Sequence, residues 1–299
     1  METNAKKRKW NTLDVLEAIK DILIILTITC FAIAGIATIK QSIDKKRNRE
    51  ETDELRRRVA AAEEVVVSVS DNVAVAAIPE EGDEEEVVVI PEPVMLSGYQ
   101  ALHNDNSDLA GWIRVDDTKI DYPVMQTFGD NGWYYLDKSF SKTKNSNGSL
   151  FADPDCVIGS GTKKYDYQDG THPSTNIIIY GHRMNNGDML GGLGKYLDKD
   201  YGMAHNIICF DSLYEHRKYE LIAVFKSKIF YTDEEVFKYY QFTEAATKEE
   251  FETSYQAIKD MAVYDTGLEA QWGDEFITLS TCDRWTANGR LVVVGKRVE

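Results

Sequence analysis

Hydrophobic and polar positions follow three patterns along this chain. Residues 22–39, ILIILTITCFAIAGIATI, form an apolar run of eighteen residues without a charge. A helix of that length spans about 27 Å, close to the ~30 Å hydrocarbon core of a bilayer. Lys20, Asp21 and Lys40 bound the run, and a charged stretch rather than a small-residue cleavage site follows it. It therefore reads as an uncleaved signal anchor. Residues 48–96 hold no sustained period: an alanine-rich stretch between Arg56–Arg58 and Glu63–Glu64 suggests a short helix, and Val/Ala runs, acidic residues 80–86, Pro91 and Pro93 follow. From Tyr99 onward, aromatic residues become frequent and short apolar runs alternate with turn residues.

This last region sets the fold class. Residues 99–110 predict a helix stopped by Gly111. Strands are predicted at 112–115, 119–126, 149–152, 176–180, 206–210, 218–226, 276–280 and 290–297, with Gly, Asn and Asp between them. Eight short strands at this spacing indicate a mainly β domain with flanking helices, built as a closed or nearly closed barrel. One insertion, 232–270, carries a helical pattern. Thr247 reads as its N-cap and Glu250 as the N3 residue of a capping box. Phe251, Tyr255, Ile258 and Ala262 recur at helical spacing and form its packing face.

Charge sharpens the boundaries. The formal net charge is −16, which argues against a nucleic-acid partner, because phosphate binding needs a basic face. Residues 1–47 carry +4, residues 48–96 carry −10, and residues 97–299 carry −10. The expected organisation is a cytoplasmic N-terminus (1–21), a transmembrane anchor (22–39), an acidic extracellular stalk (40–96) and a catalytic domain (97–299). Basic residues flank the apolar run on both sides (Lys6, Lys7, Arg8 and Lys9; Lys40, Lys45, Lys46, Arg47 and Arg49), so charge does not orient it. The C-terminal bulk is placed outside on the catalytic argument that follows.

Of the four cysteines, Cys30 lies in the apolar run, and Cys156 and Cys209 read as small buried or half-buried residues. No CxxC pair or His-rich spacing calls for a metal, and no cofactor is expected. His103, His172, His205 and His216 read as surface or structural residues.

Cys282 differs. Residues 276–282 are a β-type run ending in cysteine, a turn-rich return follows, and Arg290 opens the next strand. A hairpin brings the two residues together. The apolar run 176–180 likewise leads through Gly181 to His182. A strand-end cysteine beside a strand-end histidine makes a nucleophile/base pair. At neutral pH an isolated thiol and imidazole are both mostly uncharged, whereas a paired thiolate and imidazolium stabilise each other. The thiolate attacks a carbonyl and the imidazolium protonates the leaving amine. A guanidinium stabilises the oxyanion or holds the substrate backbone.

Thr278-Leu279-Ser280-Thr281-Cys282 followed by Arg290 resembles the active-site signature of sortases, and Tyr180-Gly181-His182 resembles that family's histidine segment. The order His, Cys, Arg agrees. The resemblance covers roughly 97–299 and includes Asn106, Asp108, Gly111-Trp112-Ile113, Asp121-Tyr122-Pro123-Val124, Asp130-Asn131 and Tyr134-Tyr135-Leu136. The leading helix and the insertion before the cysteine strand are most similar to class B members.

This resemblance implies an eight-stranded sortase-type barrel and cleavage of a C-terminal sorting signal after Thr through a thioester on Cys282. It implies transfer of a surface protein to an amine acceptor, a cell-wall precursor or a pilin subunit, at the plasma membrane of a Gram-positive-type envelope. Catalytic roles fall to Cys282, His182 and Arg290. Asn131, Tyr180, Ser280, Thr281 and Asp283 would bind substrate, and the Asp283 N–H would serve the oxyanion hole. A hydrolytic cysteine protease and a non-catalytic surface binding module are the alternatives.

Overall fold

The computed structural model describes residues 12–70, 94–159 and 172–299. The basic residues 6–9 and residues 71–93 of the expected stalk, including acidic residues 80–86, Pro91 and Pro93, lie outside the described residues. The chain divides into two compact units, 1–47 and 48–299.

In the first unit, the described residues belong to helix α1 (Thr12–Ser70). Residues 21–40 are exposed throughout. Thr27, Thr29 and Thr38 each return a hydroxyl hydrogen bond to the carbonyl four residues earlier, which satisfies polar atoms within an apolar surface.

The second unit is a closed barrel of eight strands: β1 (Leu109–Arg114), β2 (Asp121–Met125), β3 (Leu150–Ala152), β4 (Asn176–Tyr180), β5 (Ile207–Ser212), β6 (His216–Lys228), β7 (Phe276–Cys282) and β8 (Gly289–Arg297). Their order around the barrel is β1-β2-β3-β4-β7-β8-β6-β5. Two neighbouring pairs, β2–β3 and β4–β7, run parallel, and the rest run antiparallel. All eight strands send alternate residues into one interior cluster, among them Ile113, Val124, Leu150, Ile179, Phe210, Leu221, Leu279 and Val293.

Two further clusters cover the outside. Helix α4 (Lys248–Met261) buries Phe251, Tyr255 and Ile258 against β6, β7 and β8. The Phe251 ring stacks on Phe276 with centroids 5.5 Å apart. Its capping box is present: Glu250 N donates to the Thr247 hydroxyl, and the Glu250 carboxylate accepts from Thr247 N. Helix α2 (Ser97–Asp105) covers another face with Tyr99 and Leu102. A short helix, α3 (Lys199–Ala204), precedes β5.

Two expectations are corrected. Helix α2 ends at Asp105, and Gly111 lies within β1. Asn106 turns extended, gives its amide to the Tyr135 hydroxyl and the Phe140 carbonyl, and accepts from Asp108 N. Gly111 is required for close approach: a Cβ there would stand 2.3 Å from the Asp211 carbonyl.

Second, the short helix read within the stalk is present as part of α1, but residues 48–62 are packed on the barrel. Asn48, Thr52, Leu55 and Val59 are buried, one above another on a single helix face. Arg56 pairs with Asp121 at 2.8 Å, and Arg58 pairs with Asp105 at 2.6 Å. Only two of the four buried positions are apolar, which is why no apolar period shows there.

Candidate active site

The barrel's strand register assembles the site. β4 and β7 run side by side in the same direction, with Tyr180 opposite Ser280. Two residues further along each chain stand His182 and Cys282. β8 returns antiparallel, with Arg290 opposite Cys282. Three adjacent segments therefore deliver His182, Cys282 and Arg290 to one rim of the barrel.

Local contacts lock this alignment. Gly181 N donates to the Ser280 carbonyl at 3.2 Å, and the Thr281 hydroxyl donates to the Gly181 carbonyl at 2.8 Å. Gly181 admits no side chain, because a Cβ would lie 2.2 Å from Leu150 Cδ2 and 2.9 Å from Leu190 Cγ. The glycine before the histidine thus lets β4 leave the barrel tightly against its neighbours.

The His182 ring is half-buried. Its Nε2 lies 2.7 Å from the Leu136 carbonyl oxygen, in the 3-10 turn Tyr134–Asp137. A carbonyl only accepts, so Nε2 carries a proton in this contact. The neutral ring then presents its Nδ1 lone pair as the base, and the charged ring presents Nδ1–H as the acid.

Cys282 is exposed at the end of β7. The Arg290 guanidinium folds over its own loop: Nη1 donates to the Gly289 carbonyl at 3.0 Å and to that of Asn288 at 3.3 Å. These loop carbonyls are acceptors of the kind a bound peptide would offer.

Asp283 holds the loop between cysteine and arginine. Its carboxylate accepts from Trp285 N at 3.0 Å and from Arg183 Nη1 at 3.1 Å. The Asp283 side chain is 8% exposed and that of Arg183 36%. The Asp283 N–H, expected to serve the oxyanion hole, donates to the Gly289 carbonyl at 2.8 Å.

The remaining residues expected to bind substrate are placed differently from one another. Asn131 is exposed in the turn Gly129–Asn131, and its carbonyl accepts from the Thr127 hydroxyl at 2.7 Å. Ser280 is buried and shares a 2.8 Å hydrogen bond with the Tyr239 hydroxyl. Burial pushes the Tyr239 phenol up to about 12, so it stays a neutral partner at neutral pH. Thr281 is buried, as is Tyr180, whose hydroxyl donates to Asp153 at 2.8 Å. Burial raises both the Tyr180 phenol and the Asp153 carboxyl. Tyr180, Ser280 and Thr281 therefore form the support beneath the rim.

Sequence reasoning did not single out four contributors. The Leu136 carbonyl fixes the histidine, Arg183 engages Asp283, Tyr239 supports Ser280, and the exposed Trp133 ring packs on Tyr180 at 5.1 Å. Only Arg183 carried a signal: it follows the histidine as an acid follows the cysteine. Two other described histidines bond elsewhere, His205 to the Tyr201 carbonyl at 2.8 Å and His216 to Asp211 at 2.9 Å. No group of side chains suited to hold a metal ion occurs among the described residues.

Comparison with known proteins places this arrangement. Residues 113–298 match the sortase domain family. Sortase B of Listeria monocytogenes is 35% identical over 195 residues, covering 64% of this chain and 71% of that protein. Sortase B of Staphylococcus aureus is 26% identical over 203 residues, covering 67% and 75%. The crystal structure of sortase B from B. anthracis superposes with a TM-score of 0.61 at 27% identity, covering 86% of this chain and 99% of that one. The chain belongs to the sortase family, as a cysteine transpeptidase most like the class B sortases.

Proposed function

We propose that this enzyme cleaves a C-terminal sorting signal after Thr and transfers the upstream protein to an amine acceptor outside the cell. The observation that carries the reading is the register placing Cys282 opposite Arg290 and beside the His182 segment on one rim. The Cys282 thiolate adds to the scissile carbonyl carbon. Collapse of the tetrahedral intermediate breaks the C–N bond, and His182 Nδ1–H protonates the departing amine. A thioester remains. Neutral His182 then takes the proton from the incoming amine as it attacks, and the thiolate leaves.

Arg290 exchanges the Asn288 and Gly289 carbonyls for substrate carbonyls or the oxyanion, a fitting partner for a fixed multidentate cation. Asn131 and the exposed Trp133 and Leu136 line the approach, while Tyr180, Ser280 and Thr281 form its floor. Residues 22–39 span the plasma membrane, with 1–21 cytoplasmic and the barrel extracellular. Their uniform exposure and apolar character support this. The acceptor is a cell-wall precursor or a pilin amine.

A panel of sorting-signal peptides incubated with the full chain and a small primary amine tests the reading by mass spectrometry. A peptide cut after Thr and joined to the amine is expected. Cleavage without incorporation of any amine favours the hydrolytic reading, and a site that binds peptides without cutting them favours a binding module.

A further inference from the structure

The loop carrying His182 is tied to the helix that precedes the barrel. Asp188, six residues after the histidine, is buried, yet it gathers cationic and amide donors. Arg49 Nε and Nη2 reach its two carboxylate oxygens, each at 3.1 Å. Lys119 Nζ approaches at 3.3 Å from the turn before β2, and the Asn186 amide donates from within the loop. Burial opposes ionisation of this carboxyl, but hydrogen bonds from Asn186 and Lys119 and the Arg49 charge outweigh it and hold it below the usual range.

The next residue continues the attachment. Met189 has φ 56°, a conformation unfavourable for a side chain with a Cβ. Its N–H is held by the Tyr122 hydroxyl at 3.0 Å, and its sulfur contacts the Asn48 amide at 3.6 Å. Leu190 N then donates to the His182 carbonyl at 3.1 Å. Asn48 and Arg49 are thus linked to the histidine's own backbone through three consecutive residues. A strained backbone persists only where surroundings over-determine it, and these contacts supply that determination.

We propose that Arg49 and Asp188 position the His182 loop, so that acid/base catalysis requires α1 residues 48–52 to be seated on the barrel. This rests on the reading of His182 as the acid/base residue. Arg49 and Asp188 touch no substrate; they are positioning residues. The helix is therefore part of the catalytic unit, and a domain trimmed to the barrel lacks one fixed end of its histidine loop.

The test uses the full chain in detergent or nanodiscs, with peptide and amine as substrates. Arg49→Ala and Asp188→Asn are each expected to lower kcat about tenfold while the peptide KM changes less than about twofold, as for a misplaced catalytic group. The double variant should be no worse than the poorer single, because both break one contact. Arg49→Lys, which keeps the charge, should recover most of the rate. Arg58→Ala is the control: it removes a contact of the same helix outside residues 48–52, to Asp105 at 2.6 Å, away from the histidine loop. It should lower the unfolding temperature without lowering kcat.

Unchanged kcat in both single variants overturns the proposal, as does an equal loss in Arg58→Ala. Cys282→Ala and His182→Ala, assayed alongside, separate the two readings. If both are inactive while the Arg49 and Asp188 variants are normal, only the positioning role fails. If His182→Ala stays fully active, the acid/base reading fails and the positioning role with it.

Discussion

Arg183 and Asp283, the residues that directly follow His182 and Cys282, form an ion pair at 3.1 Å. A second contact lies beside it, from Arg284 Nη2 to Asn185 Oδ1 at 3.4 Å. The two loops that carry acid/base and nucleophile are separated by about a hundred residues of sequence, and these side chains join them at the rim. The Asp283 end is almost fully covered, so the pair is less screened than a surface salt bridge.

Breaking that pair should cost activity more than stability. Arg183→Ala and Asp283→Asn are each expected to lower kcat/KM by roughly five- to tenfold, or about 1 kcal/mol. A double-mutant cycle should show coupling of about 0.5–1 kcal/mol. Additive losses in the cycle would show that the two loops are held together by other contacts.

Beneath the nucleophile, Tyr239→Phe leaves the buried Ser280 hydroxyl without the partner it has at 2.8 Å. An unsatisfied buried hydroxyl costs about 1–3 kcal/mol. Urea unfolding should report a loss in that range. Replacing both partners, with Ser280→Ala added, should cost less than Tyr239→Phe alone.

Cysteine reactivity should divide by burial. The Cys156 thiol is pushed up to about 12 by burial. It stays protonated across the neutral and mildly alkaline range, while Cys282 is exposed. Iodoacetamide at pH 8 should label Cys282 and leave Cys156 unmodified in the folded protein. The sign for stability follows. The folded state holds this proton more tightly than the unfolded chain does, so stability falls as pH rises above the ordinary thiol value of about 8.5. Denaturation midpoints between pH 8 and 10 should move downward, and less so in Cys156→Ser.

The α4 cap offers a purely structural check. Thr247→Ala removes one half of the capping box and should cost about 1 kcal/mol, read as a lower urea midpoint with unchanged slope. Activity per folded molecule should be unchanged, since α4 packs on the outer face and touches no residue of the rim.

The barrel was legible because short apolar runs bounded by turn residues mark its strands. Ile277 and Leu279 point inward while Phe276 meets α4, and all eight strands overlap the runs read from the sequence. The end of α2 was not legible, because Asn106 stops the helix through side-chain bonds to Tyr135 and Phe140, distant in sequence. The seating of residues 48–62 was hidden for another reason. Asn48 and Thr52 are polar but buried, their amide and hydroxyl answered by Met189 and by the helix's own backbone. The local sequence around His182, Cys282 and Arg290 pointed to the rim. The bond from the Asp283 amide to the Gly289 carbonyl was not legible, because it arises only once the loop closes.

The central claim is a covalent thioester on Cys282, and trapping it is the most direct measurement. Full chain mixed with a sorting-signal peptide it cleaves, without added amine, would be quenched in acid and weighed intact. The expected result is a mass increase equal to the peptide's N-terminal fragment, mapped to Cys282, released by hydroxylamine and absent in Cys282→Ala. Peptide cleavage without any adduct in wild type, or cleavage persisting in Cys282→Ala, would contradict it.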